Sequence, residues 1–257
     1  MNEFEDKVVI VTGAASGIGL ATAQAFAAKG AIVCGIDISS DGMSAAAQSC
    51  QEMAGQIRAY TADVSSVSDV ESCTQSIIRD MERIDILVNN AGINMAKRIQ
   101  ALEVDDWDRT FDTNLRSVYL FCKQVWDLFV AQQHGVIVNM SSVMGQVGGV
   151  GSPAYCAAKS AITMLTRCLA KDGAPDGIRV NAVCPGYIDT PIMEKVFAEQ
   201  EDPEAARQAV IDLQPMGRMG CGADIASGVL FLASDAASFI SGTSLTIDGA
   251  VTATQID

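Results

Sequence analysis

Tyr155 and Lys159 stand four residues apart in YCAAK, within a stretch whose apolar spacing predicts a helix beginning near Pro153. Residues at that separation share one helix face, so the ammonium lies near the phenol. An isolated phenol titrates near pH 10, too high for proton exchange at neutral pH, and a neighbouring positive charge favours the phenolate. The pair is therefore a candidate general acid–base, although in an anonymous helix the same spacing makes an ordinary surface contact. The elements around it decide between the two.

The first of those elements is VTGAASGIG at residues 11–19, which follows the apolar run VVIV. The run predicts a buried strand, and LATAQAFAAKG after Gly19 predicts a helix ending at Gly30. A strand, a glycine turn and a helix leave unpaired N–H groups at the helix start, where glycines let a phosphate approach. Further strands are predicted at about 31–37, 57–62, 84–89, 135–140, 178–183 and 244–247, after a first at about 7–12, with helical patterns between them. This alternation, without repeats or a Pro/Gly/Ser-rich linker, implies one α/β domain over 1–257. Its expected core is a doubly wound parallel sheet of about seven strands, a Rossmann fold. The least regular region is 187–221, which mixes prolines, charges and apolar anchors and reads as a substrate-binding lid within that domain.

Composition removes several function classes. The 17 basic and 31 acidic residues give a formal charge of −14, unfavourable for nucleic acid or an anionic membrane. No apolar run reaches the roughly 18 residues of a membrane span, and the acidic MNEFEDK is unlike a leader, so the expected location is cytoplasmic. The eight cysteines contain no CxxC pair and mostly lie in apolar segments, as reduced, buried thiols do. The one histidine, His134, precedes the strand GVIVNM, at the sheet end away from ligands, which leaves little scope for a histidine triad or zinc site; no metal is expected.

The glycine spacing Gly13, Gly17, Gly19 departs from G-x-G-x-x-G and is a weak signal alone. Joined by Thr12, Ile18, NNAG at 89–92, YCAAK at 155–159 and PG at 185–186, it resembles the short-chain dehydrogenase/reductase family from Lys7 to about Gly249. That resemblance implies a nicotinamide-dependent oxidoreductase with Asn114, Ser142, Tyr155 and Lys159 as catalytic residues. Ser142 lies thirteen positions before Tyr155, the family separation for the serine that hydrogen-bonds the reacting oxygen, with Ser141 as the fallback. Asn114 matches the asparagine whose carbonyl holds a water linking the lysine to solvent, and a buried structural asparagine is the alternative. Lys159 is implied to bind the nicotinamide ribose as well, and the nicotinamide charge would help lower the Tyr155 pKa. The implied cofactor contacts are Gly13, Ser16, Gly17, Ile18, Gly19, Asp37, Ile38, Asp63, Val64, Asn90, Ala91, Gly92, Tyr155, Lys159, Pro185, Gly186, Ile188 and Thr190. Asp63 would bond adenine and Val64 pack on it.

Asp37 ends the second strand, AIVCGID, eighteen residues after Gly19. A carboxylate there accepts the adenosine ribose hydroxyls and repels a 2′-phosphate. Positions 14–16 (Ala, Ala, Ser) and 38–40 (Ile, Ser, Ser) supply no compensating cation, so the expected cofactor is NAD; a turn-capping Asp37 is the alternative. Candidate pocket residues Asn94, Met95, Val143, Met144, Gln146, Gly148, Gly149, Tyr187, Ile192, Met193, Val196 and Phe197 contain no ionisable acid or base beyond a phenol. Of these, Met144, Gln146, Gly149, Tyr187, Met193 and Phe197 join Ser142 and Tyr155 as the expected substrate contacts.

They suggest an uncharged or weakly polar secondary alcohol or its ketone: a sugar alcohol, cyclic alcohol or hydroxysteroid. Lys97 and Arg98 form a solvated basic pair that would reach only an anionic tail. The family also contains 3-oxoacyl-carrier-protein reductases, but the turns at 131–135 and 173–177 lack the Lys or Arg that an acidic carrier would need. A non-catalytic NAD-binding protein would normally lack one of the four catalytic residues, and none is missing. The stretches 104–130 and 154–172 carry more apolar surface than one sheet face covers, and relatives pair these helices and their last strand, so a homotetramer is expected.

Overall fold

The computed structural model describes residues 3–253. Seven parallel strands lie in the order β3-β2-β1-β4-β5-β6-β7. They are β1 (Val8–Thr12), β2 (Ile32–Asp37), β3 (Gln56–Thr61), β4 (Ile86–Asn89), β5 (Gly135–Met140), β6 (Ile178–Pro185) and β7 (Ser244–Ile247). Each matches its predicted strand within about two residues. Alternation along the strands divides the core. Val9, Val11, Ile86, Val88, Val136 and Val138 face one layer, while Val8, Ile10, Leu87 and Ile137 face the other.

The first layer is covered by α1 (Gly17–Ala28), α2 (Ser40–Gln48) and α9 (Gly222–Ala233), through Phe26, Met43 and Val229. The second is covered by α3 (Val67–Met81), α5 (Ser117–Gln132) and α6 (Pro153–Gly173), through Ile77, Phe121, Phe129 and Ile162. Strand order reverses between β1 and β4. Crevices at such switch points, outside the carboxyl ends of the strands, are where this architecture binds ligands.

Two expectations need correction. The helical stretch 104–130 is not continuous: α4 (Val104–Phe111) passes into a π turn (Asp112–Arg116) before α5. Apolar spacing tolerates such a one-turn widening, and π turns often mark functional sites. The connection at 187–221 is more regular than expected, holding α7 (Pro191–Ala198) and α8 (Pro203–Asp212). Its prolines start these helices, where a missing N–H costs nothing. The cysteines are free and five of the eight are buried, in line with the expectation; Cys156 is half-buried, Cys168 is exposed on α6 and Cys221 is exposed at the residue that caps α9. His134 does precede β5 at the far sheet end, where burial lowers its pKa.

Candidate active site

The two glycine-bearing motifs lock together at the switch point. Thr12 Oγ1 accepts from the N–H groups of Asn90 (2.9 Å) and Ala91 (3.0 Å), and Asn90 Nδ2 donates to the Thr12 carbonyl at 2.9 Å. Gly13 and Gly17 have φ of +67° and +56°, which side chains resist, and a Cβ on Gly19 would collide with the Gly13 carbonyl. Ser16 caps α1 without a side-chain hydrogen bond. The first N–H groups of that helix are therefore left for an anion.

Asp37 closes the far side of the turn: Oδ2 accepts from Ala15 N–H at 3.1 Å and Oδ1 from Ser39 N–H at 3.0 Å. It thus serves as the turn cap considered above, while each oxygen retains a further acceptor site. Ile38 beside it is 70% exposed. Asp63 Oδ1 accepts from Ser65 N–H (2.9 Å) and Oγ (2.6 Å), and Val64 is buried next to it. A glycine cradle, an uncapped helix start and a carboxylate at the second strand end fit a dinucleotide.

The four catalytic candidates converge from three places, the π turn, the turn after β5 and α6. Pro153 starts α6, so Tyr155 lies in its first turn and Lys159 one turn on, with Nζ 5.6 Å from the phenol ring centroid. Lys159 is buried and donates to the Met140 carbonyl at 2.7 Å. Asn114, in the π turn, takes both polar groups of Ile93: Oδ1 accepts its N–H at 2.7 Å and Nδ2 donates to its carbonyl at 2.8 Å. Gly92 links the two, since a Cβ there would lie 3.0 Å from Asn114 Oδ1 and 3.6 Å from Lys159 Nζ.

Ser141 and Ser142 are also told apart. Ser141 Oγ is committed to α6, donating to the Lys159 carbonyl at 2.8 Å and lying 3.1 Å from Thr163 Oγ1. Ser142 Oγ accepts Met144 N–H at 3.1 Å and stands close enough to the Tyr155 phenol to lower its pKa.

Burial sets the direction of both titrations. It pushes the Tyr155 phenol up, against the pull of Ser142, and the Lys159 ammonium down to about 8. The expectation that lysine lowers the tyrosine pKa is not met by these residues alone. Nζ is tied to Met140, and desolvation dominates.

On the substrate side, Met144 folds over Gly149, where a Cβ would collide with its methyl and lie 3.5 Å from Cys156 Sγ. Gln146 turns its amide to Thr246 Oγ1 at 3.2 Å. Tyr187 and Met193 are half-buried, and Phe197 is buried beneath the Arg207 guanidinium. Thr190 packs toward the turn, 3.5 Å from where a Cβ on Gly17 would be, while Gly186 lies against Asp248 and Ile188 bridges Gly220. Lys97 is paired with Asp106 at 2.6 Å.

One polar feature was not anticipated. Asn89 Nδ2 donates to Asn139 Oδ1 at 2.9 Å, and Asn139 Nδ2 to Thr166 Oγ1 at 2.9 Å, forming a buried ladder one residue below the lysine-binding carbonyl of Met140. Its signal was present: the apolar strand runs ILVN and VIVN both close on asparagine.

A parallel sheet with a glycine turn at its switch point and a Tyr–Lys pair beside it defines a nicotinamide-dependent oxidoreductase. The family model described as "Enoyl-(Acyl carrier protein) reductase" matches residues 13–252. The chain is 37% identical over 246 residues to a 3-oxoacyl-[acyl-carrier-protein] reductase of Thermotoga maritima, covering 96% of this chain and 98% of that one. It is also 37% identical over 253 residues to a cyclopentanol dehydrogenase of Comamonas sp., covering 98% and 100%. The crystal structure of levodione reductase superposes with a TM-score of 0.94 at 36% identity, over 98% of this chain and 100% of that chain. The protein belongs to the short-chain dehydrogenase/reductase family and is an oxidoreductase acting on CH–OH groups.

Proposed function

We propose that the protein is an NAD(H)-dependent dehydrogenase of uncharged secondary alcohols, of the cyclic alcohol, sugar alcohol or hydroxysteroid kind, working reversibly with the ketone. The convergence of Ser142, Tyr155, Lys159 and Asn114 beside the glycine turn carries this reading. A bound nicotinamide would supply the hydride acceptor for oxidation of the carbinol and the hydride donor for reduction of the ketone. Tyr155 takes the hydroxyl proton in the first direction and supplies it in the second. Ser142 holds the reacting oxygen. Lys159, anchored by Met140, orients the cofactor ribose and passes the proton toward solvent; Asn114 fixes the backbone around Gly92 and Ile93 that borders the lysine. Residues 187–221 close over the substrate. The test is NAD reduction, followed by near-ultraviolet absorbance, against panels of polyols, cyclic alcohols, steroids and acyl thioesters; turnover confined to the thioesters would overturn the assignment.

The Thermotoga maritima relative favours a second reading, reduction of a carrier-bound 3-oxoacyl thioester. The charge of −14 opposes an acidic carrier, and Arg207 and Arg218, within residues 187–221, are both engaged by carboxylates.

Asp37 supports NAD over NADP. The double variant Asp37→Asn, Ile38→Arg removes the carboxylate charge, keeps one acceptor for the turn and adds a phosphate partner at an exposed position. It is expected to shift the NADP/NAD ratio of kcat/KM by roughly 30-fold or more. A parent enzyme already preferring NADPH would contradict the cofactor assignment.

We further propose a homotetramer. Tyr119 on α5 and Met164 on α6 leave apolar surface on one face, and Phe231 and the fully exposed Phe239 leave another beside β7. Light scattering at micromolar concentration is expected to give the mass of four chains, and a monomer would refute the assembly.

A further inference from the structure

Arg207 on α8 grips two carboxylates from earlier in the chain. Its Nη1 donates to Glu194 Oε1 at 2.7 Å and its Nη2 to Asp189 Oδ2 at 2.5 Å. The guanidinium also lies 5.7 Å from the centroid of the buried Phe197 ring. Asp189 belongs to a strap, residues 187–190, that runs back toward the glycine turn. Its N–H donates to the Gly220 carbonyl at 2.8 Å, Gly220 N–H donates to the Tyr187 carbonyl at 2.9 Å, and the next residue, Thr190, reaches toward Gly17. Arg207, Asp189, Thr190 and Gly17 therefore form one path from α8 to the start of α1.

An isolated exposed ion pair contributes little, because solvent screens it and two side chains must be ordered. Here one guanidinium joins α8 to both the strap and α7, and it rests on an aromatic face. Its loss would leave two uncompensated carboxylates within four residues of Thr190. A pyrophosphate at the glycine turn would then meet added negative potential.

We infer that Arg207 is a positioning residue for the dinucleotide: it fastens the strap to the two helices and neutralises Asp189 and Glu194 beside the pyrophosphate. It acts through Asp189 and Thr190 and touches neither cofactor nor substrate. The inference rests on the dehydrogenase reading above, and its test separates the two.

The intact protein is compared with Arg207→Met, Arg207→Lys, and Arg207→Met combined with Asp189→Asn and Glu194→Gln. NADH affinity is read by fluorescence titration, and fastening by hydrogen–deuterium exchange of 187–214. Arg207→Met is expected to raise the NADH Kd roughly 5- to 20-fold, with kcat within about twofold, and to speed exchange in 187–198. The triple variant should regain most of the affinity without the protection, and Lys, able to reach one carboxylate at a time, should fall between. Added salt should narrow the gap between parent and Arg207→Met. Unchanged Kd and exchange in Arg207→Met overturn the inference, as does an equal loss of kcat, affinity and thermal stability in all three variants. A parent that binds neither NADH nor NADPH overturns the dehydrogenase reading instead; the exchange comparison still reports whether Arg207 fastens the strap.

Discussion

Tyr155→Phe is expected to lower turnover at least a hundredfold in both directions while NAD(H) affinity stays within about twofold, the range for loss of a general acid–base. The two rings are nearly isosteric, and α6 does not depend on the phenol oxygen, since Pro153 starts the helix and Ala154, Ala158 and Ile162 pack it. Steady-state rates and NADH titration on one preparation check both halves. The pH profile gives a second handle. Because burial raises the Tyr155 pKa, alcohol oxidation should climb as pH rises toward the tyrosine range, where the base is ionised. Ser142 opposes that shift, so its removal should move the rising limb to higher pH. A Tyr155→Phe enzyme retaining most of its turnover would take the phenol out of the mechanism.

The strands and the glycine turn were readable because each left a local signature, whereas Asn114 and Ser142 entered only through the family resemblance. Runs such as VVIVT, ILVN and GVIVNM are buried on both faces and therefore almost continuously apolar. Glycines 13 and 17 were legible because the turn needs positive φ there. The spacing of Tyr155 and Lys159 placed them on one face, but could not show that Nζ points to the Met140 carbonyl, a contact nineteen residues away in sequence. Ser141 and Ser142 are chemically identical neighbours; the separation from Tyr155 ranked them, but only the fold shows Ser141 Oγ bound to α6. The π turn escaped because one widened turn barely disturbs an apolar periodicity, and α7 and α8 because their leading prolines resemble loop punctuation. Arg207 escaped for a related reason. Its two carboxylates lie thirteen and eighteen residues away, beyond any helical spacing rule.

Lys159→Met is expected to reduce turnover at least a hundredfold and to weaken cofactor binding, yet leave Tm unchanged or about 5 °C higher at neutral pH. The buried ammonium has lost most of its hydration, and its pKa falls from the usual lysine range to about 8. That depression corresponds to a cost on the order of 3 kcal/mol for keeping the charge in the folded state. Methionine removes the charge and fills similar volume, but leaves the Met140 carbonyl without its charged partner, a loss of about 1.5–3 kcal/mol. The balance, from about zero to about 1.5 kcal/mol in favour of the variant, gives the range of Tm shift for a chain of this size.

The pH dependence has a definite sign. Below about 8 the lysine is protonated whether folded or unfolded, so the penalty is fully present. Between about 8 and the usual lysine range the unfolded chain holds more protons than the folded one, and parental stability rises with pH. The Lys159→Met variant should therefore hold its largest advantage below about pH 8 and lose it progressively above. Thermal scans from about pH 6.5 to 9.5 compare the two proteins. A variant several degrees less stable throughout would mean that the bond to Met140 outweighs desolvation, and one that keeps its turnover would mean that the ammonium is not needed to work Tyr155.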